Sequence, residues 1–183
     1  MRVVGGELKG RRLVAPPGDR TRPTSDRVRE SIFNALWSRG ALGDDGTVLD
    51  LFAGSGALGI EALSRGAAHA TFVDENAVAR RVVAENLRAC GLTDRATVVA
   101  DRAERFLAGA GDRRYDLAFC DPPYAFDGWA ALLGRLPADL VVIEAASEIA
   151  VPAGWELVRT ATYGTTWVGF AESLGSGPER LRP

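Results

Sequence analysis

Five short apolar runs separated by four helical patterns constrain this chain more than any other feature. The runs are TVLDL (47–51), ATFVD (70–74), ATVVA (96–100), YDLAFC (115–120) and DLVVIEA (139–145). Between them lie 57–65, 76–90, 103–109 and 127–136, where apolar residues recur at helical spacing. Gly66 and Gly91 follow two of these helices, where a left-handed cap is favoured. Repeated strand–helix units build a parallel sheet covered by helices on both faces. Residues 155–164 and 165–172 read instead as an antiparallel pair at the C-terminal edge. The expected fold class is therefore α/β, with a mostly parallel seven-stranded sheet, helices on both faces and an antiparallel last strand.

Ahead of this core, residues 2–5 and 11–15 flank GELKG and read as a small β-hairpin. PPGDRTRP (16–23) is a loop. From Thr24 the pattern turns helical, with Val28, Ile32 and Leu36 on one face and Phe33 and Trp37 beside them. We therefore divide the chain into a basic N-terminal arm (1–23), a main domain (24–173) and a disordered tail (174–183).

Charge separates the same parts. Residues 1–39 hold nine basic and four acidic side chains, a net of +5, and the whole chain is at −2, so the remainder is at −7. A basic arm on an acidic body suits a polyanionic partner at one end only. The candidate contacts are Arg2, Lys9, Arg11, Arg12, Arg22, Arg27 and Arg29. Arg22, Arg27 and Arg29 sit nearer the helix and have a second reading, as partners of Asp26, Glu30 or a catalytic loop.

Open α/β sheets bind ligands beyond the carboxyl ends of their strands, so the residues after each strand carry the functional reading. After the first strand comes Asp50-Leu51-Phe52-Ala53-Gly54-Ser55-Gly56, a glycine loop leading into a helix N-terminus. Asp74 ends the second strand, 20 positions beyond Gly54, where a carboxylate can accept from both hydroxyls of a ribose. After the third strand, Asp101-Arg102-Ala103 stands where an adenine would reach, and Asp101 reads either as an acceptor for its amino group or as a helix cap.

The fourth strand ends in Asp121-Pro122-Pro123-Tyr124. The lone pair of an exocyclic amine on a planar base is delocalised into the ring. A carboxylate taking one N–H and a carbonyl taking the other turn that nitrogen towards tetrahedral geometry and free the lone pair. Asp121 supplies the carboxylate and Pro122 the carbonyl. The prolines stiffen the loop and remove competing donors, and Tyr124 offers a ring face for a base turned out of its stack.

One histidine and two cysteines without ligand spacing argue against a histidine-based metal site and a Ser-His-Asp triad, so no metal is expected. No apolar stretch reaches the ~18 residues of a membrane span, and the N-terminus has no signal-peptide pattern. A reduced, cytoplasmic setting is the expectation.

Together these residues resemble a class I S-adenosylmethionine-dependent methyltransferase. RVVGGELKGRRL (2–13), TRPTSDRVRESIFNAL (21–36), the FAGSGALGIEALSRGA core and DPPY resemble, more narrowly, the RsmD family of bacterial 16S rRNA guanine-N2 methyltransferases. The resemblance implies a Rossmann-like fold and transfer of a methyl group from S-adenosylmethionine to guanine N2, leaving S-adenosylhomocysteine. It implies cofactor contacts at Asp50, Gly54, Ser55 and Gly56, with Phe52 and Ala53 in the same loop, and a ribose at Asp74. It places catalysis at Asp121, Pro122, Pro123 and Tyr124, and 16S rRNA, within a small-subunit assembly particle, on the arm of a monomeric enzyme. Asp101-Arg102-Ala103 departs from the Gly/Asn-Asp-Ala form common at the adenine position. The rivals are an adenine-N6 DNA or RNA methyltransferase, a glutamine methyltransferase, a nicotinamide-dependent oxidoreductase and a non-catalytic RNA-binding protein on the same fold.

Overall fold

The computed structural model describes residues 1–17, 25–41, 43 and 45–175. Helix α1 (Asp26–Ser38) comes first, its N-terminus capped by Ser25 Oγ, which accepts from the Val28 N–H. Five parallel strands follow: β1 (Thr47–Leu51), β2 (His69–Asp74), β3 (Ala96–Ala100), β4 (Tyr115–Cys120) and β5 (Ala138–Ala145). They are separated by α2 (Ala57–Ser64), α3 (Ala77–Cys90), α4 (Ala103–Ala108) and α5 (Trp129–Leu133). A hairpin of β6 (Trp155–Tyr163) and β7 (Thr166–Ser173) completes one seven-stranded sheet in the order β3-β2-β1-β4-β5-β7-β6.

All five parallel runs form as expected: β1, β2, β4 and β5 are buried along most of their length, whereas β3, at the edge of the sheet, is partly to fully exposed. Helices α1, α2 and α3 pack one face through Ile32, Phe33, Leu58, Ile60, Val83 and Leu87. The second face is covered by α4 and α5 through Phe106, Leu107, Leu132 and Leu133. The chain runs outward from β1 to β3, then returns to place β4 on the other side of β1. The switch point thus lies between β1 and β4, and their carboxyl ends flank it.

Three expectations need correction. The helix expected over 127–136 is a single short turn, Trp129–Leu133, bounded by Gly128 and Gly134. Trp37 is 69% exposed; the helix runs past the core there, since everything from Trp37 to Gly40 faces solvent. The N-terminal hairpin reduces to one antiparallel bridge, Arg2 to Arg12, beside which the Val3 N–H donates to the Arg11 carbonyl at 2.9 Å.

The arm is nevertheless fastened to the sheet's helices. Val3 and Leu13 are buried in the α1–α3 core. The Val4 N–H donates to Glu61 Oε2 at 2.8 Å, and the Leu8 N–H donates to Ser64 Oγ at 3.0 Å. Glu61 is itself buried and paired with Arg65 at 2.8 Å. A buried carboxylate is tolerated when it is paired and accepts further donors, and here those donors come from both the arm and α2. Most of the 16–23 loop, Thr24 and residues 176–183 lie outside the described residues.

Candidate active site

One cavity of about 1070 Å³ opens at the carboxyl end of the sheet. Its wall draws on every strand end: Phe52 and Gly54 after β1, Asp74 at β2, Asp101 after β3, Asp121 to Phe126 after β4 and Glu144 near the end of β5. The β6–β7 turn, Tyr163 to Thr166, adds a further wall. Pro16 and Pro17, together with Ser25 and Val28, bring the end of the arm and the start of α1 to the same space.

The glycine loop is built by the backbone. Gly56 has φ +76° at the start of α2, a left-handed conformation that an L side chain resists. Gly59 lies one turn on, where an added Cβ would come within 2.7 Å of Phe72 Cζ and 3.1 Å of Asp50 Oδ2. Asp50 is 2% exposed, and its Oδ2 accepts the Gly59 N–H at 2.9 Å. Burial drives its carboxyl well above the usual aspartate value; the Gly59 hydrogen bond opposes this, and the charges of Asp121 and Asp74 add to it. Asp74 and Asp121 thus place negative charge around the buried Asp50, a field that favours a cationic ligand.

Of the loop residues expected at the cofactor, Phe52 and Gly54 line the cavity. Asp50, Ala53, Ser55 and Gly56 are not among the residues that line it. Ser55 Oγ donates to Met1 Sδ at 3.3 Å, and the Ser55 carbonyl accepts from Asn86 Nδ2 at 2.8 Å. Phe52, at φ 61°, is the only non-glycine residue with positive φ among those described. Such a residue costs about 1–2 kcal/mol and persists where its surroundings hold it. Here its ring meets Phe126 of the DPPYAF loop edge-on at 5.6 Å, and Phe126 meets Trp129 at 5.1 Å.

Asp74 both lines the cavity and organises it. Its Oδ2 accepts the Gly54 N–H at 2.9 Å and its Oδ1 accepts the Asn76 N–H at 2.8 Å. Each carboxylate oxygen has a second lone pair, so these bonds leave acceptor capacity on both. Asp101 is partly buried, accepts the Arg102 N–H at 2.7 Å and is bonded to Arg105 Nε. Arg102 is exposed beside Glu75 and Glu104, at 3.8 and 3.7 Å, and Ala103 is buried at the foot of α4.

In the DPPY segment Pro122 is buried, whereas Pro123 and Tyr124 are exposed. The Pro123 carbonyl accepts the Phe126 N–H at 2.8 Å, which closes the turn. Tyr124 is 52% exposed, and its hydroxyl shares a 3.3 Å hydrogen bond with Thr166 Oγ1. That bond ties the loop to the β6–β7 turn, where the Tyr163 hydroxyl is bonded to Ser31 Oγ of α1.

The basic residues divide. Lys9, Arg11, Arg12 and Arg27 are exposed. Arg2 is exposed and paired with Asp26 at 3.2 Å. Arg29 is fully buried, donating to the Arg2 carbonyl at 2.6 Å and to Asp26 Oδ1 at 2.7 Å. It is a structural strut, not a surface contact, as the second reading of that residue had it. Arg22 lies outside the described residues. Two further residues escaped the sequence reading. Asn86 is buried on α3 and bonds both polar groups of Val14 as well as the Ser55 carbonyl. Glu144 is buried near the end of β5 and lines the cavity. An asparagine inside a helix and an acid inside an apolar run were the available signals.

Among the described residues, no group of three or more His, Cys, Asp or Glu side chains could hold a metal ion, and no helix is long and apolar enough to cross a membrane.

The family model described as Conserved hypothetical protein 95 matches residues 1–172. The protein YlbH of Bacillus subtilis (strain 168) is 42% identical over 187 residues, covering 96% of this chain and 100% of YlbH. Ribosomal RNA small subunit methyltransferase D of Escherichia coli (strain K12) is 38% identical over 174 residues, covering 90% of this chain and 85% of that protein. Among solved structures, the Escherichia coli protein yhhF superposes with a TM-score of 0.82 at 36% identity, over 94% of this chain and 97% of that one.

Proposed function

The chain belongs to the conserved hypothetical protein 95 family, the RsmD family of methyltransferases, and from that premise we propose that it methylates the exocyclic N2 amine of a guanine in 16S rRNA. The observation that carries the reading is a shared cavity, into which the DPPY segment, Asp74 and the glycine loop all open. The curated relative from Escherichia coli is named for ribosomal RNA methyl transfer.

S-adenosylmethionine, when bound, supplies an electrophilic methyl group on a sulfonium. The residues present fit it. A cation gains from the field of Asp74 and Asp121, and the acceptor capacity of Asp74 suits a ribose. Gly54 and Phe52 border the same space, and Asp101, Arg102 and Ala103 bound its far side. The Asp121 carboxylate and the Pro122 carbonyl accept the two hydrogens of the amine, which localises its lone pair. The ring of Tyr124 stacks on the base. Rate enhancement comes from orientation and from this fixed pair of acceptors, so the chemistry needs no metal. Lys9, Arg11, Arg12, Arg2 and Arg27 meet rRNA phosphates, which gives affinity without sequence choice.

The test is methyl transfer in vitro with labelled S-adenosylmethionine. The acceptors are naked 16S rRNA, assembled small subunits and DNA, followed by nucleoside mass spectrometry. N2-methylguanine from RNA or subunits alone is the expected product. N6-methyladenine, or label found in subunit protein instead of RNA, would overturn the reading, as would calorimetry that detects no binding of S-adenosylmethionine.

A further inference from the structure

The DPPY segment accepts the hydrogens of a planar amine, and adenine and guanine both carry one. Its chemistry alone does not choose between them. The neighbouring strand carries a group that can.

Glu144 is 4% exposed, and it borders the cavity. Ile143 and Cys120 are paired in the parallel register of β5 and β4. Glu144 and Asp121 are therefore the next residues on two adjacent strands, which run about 4.8 Å apart. Side chains alternate between the faces of a sheet. Val142 and Phe119 belong to the core on the α1–α3 side, while Ile143 and Cys120 belong to the opposite one. Glu144 thus follows Val142 onto the face that Asp121 shares after Phe119. The positions before it on β5 are Val141, Val142 and Ile143, all buried. Burying a carboxylate among them carries a desolvation cost that a further Val or Ile would avoid.

We propose that Glu144 accepts the N1–H of the target guanine and so determines its choice over adenine. The inference rests on the guanine reading above. On guanine, N1–H and the N2 amine are adjacent donors on one edge, and Glu144 and Asp121 supply two acceptor groups on neighbouring strand ends beside one cavity. Adenine, turned so that its amine meets Asp121, sets the lone pair of N1 against the Glu144 carboxylate. A buried acceptor facing an acceptor loses its hydrogen bond and gains repulsion. Sites built around one hydrogen bond reject analogues that lack it by large factors. Glu144 is in this sense a specificity-determining residue, with Asp121 and Pro122 holding the reacting amine.

The experiment uses small subunits reconstituted with 16S rRNA that carries guanine or 2,6-diaminopurine at the methylated position. Diaminopurine keeps the amine at C2 and replaces N1–H by a lone pair. The wild-type enzyme is expected to prefer guanine by about 100-fold or more in kcat/KM. In Glu144→Leu the preference should fall below about 10-fold, mostly by loss of guanine methylation, with S-adenosylmethionine affinity unchanged. Equal methylation of the two bases by the wild-type enzyme would overturn the inference, whether or not the variant folds. So would a variant that slows both bases alike, since that is the mark of a structural role. N6-methyladenine as the wild-type product would instead remove the guanine reading itself, and mass spectrometry tells that failure from the others.

Discussion

Asp74 Oδ2 accepts the Gly54 N–H at 2.9 Å, across a separation of 20 residues. One carboxylate therefore ties the end of β2 to the loop after β1, the two strands that lie side by side on one flank of the switch point. Replacing Asp74 by Ala removes this bond and the one to the Asn76 N–H. The expected outcome is a loss of about 1–3 kcal/mol of stability and a drop of about 100-fold in S-adenosylmethionine affinity, roughly 2.7 kcal/mol. Thermal melts and calorimetry on the same sample measure both. Unchanged cofactor affinity would rule out the ribose role.

Gly59→Ala opposes two effects. Alanine gains about 1 kcal/mol in helix propensity over glycine. Its Cβ, however, would crowd the buried Phe72 ring, 2.7 Å from Cζ, and approach Asp50 Oδ2 at 3.1 Å. Overpacking costs about 1–3 kcal/mol or more, so the variant should be less stable than the wild type in urea. A higher midpoint would show that the ring can move aside.

The Asp50 carboxyl is raised by burial, with the charges of Asp121 and Asp74 acting in the same direction. The folded protein then holds this proton at pH values where the unfolded chain has released it. Stability falls as pH rises from about 4, the ordinary aspartate value, through the raised folded value. Asp50→Asn keeps an oxygen able to accept the Gly59 N–H and removes the ionisation. The variant should show a flatter stability profile above about pH 4, with its advantage over the wild type growing with pH. Parallel profiles for the two proteins would contradict the shift.

Arg29 and the exposed arginines should separate in two assays. Arg29→Ala leaves the Arg2 carbonyl without its donor and opens a void in the core, at a cost of about 2–4 kcal/mol. Arg11→Ala and Arg12→Ala should leave the melting temperature unchanged. Each should lower the slope of log affinity for rRNA against log salt by about 1. Unchanged slopes in both variants would detach the arm from RNA binding.

Asn86→Ala removes three part-buried hydrogen bonds that hold Val14 and the Ser55 carbonyl. Part-buried hydrogen bonds of this kind are worth about 0.5–1.5 kcal/mol each. Hydrogen exchange should quicken at Val14, whose N–H loses its acceptor, before the sheet is affected. Exchange that stays protected there would mean the arm has another anchor.

The sequence by itself determined the parallel strands, the antiparallel close and the identity of the acidic strand ends. Those signals are local: doubly buried strands read as continuous apolar runs, and a ligand site in such a sheet follows the carboxyl ends. It also carried the DPPY chemistry, because a planar amine asks for a carboxylate and a donor-free backbone. What it left open was which face and which neighbour each side chain meets. Asp50 and Asp74 look alike as acids closing strands, yet one is buried behind the loop and the other borders the cavity. Arg29 looks like its exposed neighbours Arg27 and Arg12 until the helix turns it inward onto Asp26 and the Arg2 carbonyl. Glu144 stands among apolar residues and gains meaning only when β5 lies beside β4, which sets it next to Asp121. Contacts between residues distant in the chain depend on strand order and register, and those are properties of the assembled sheet.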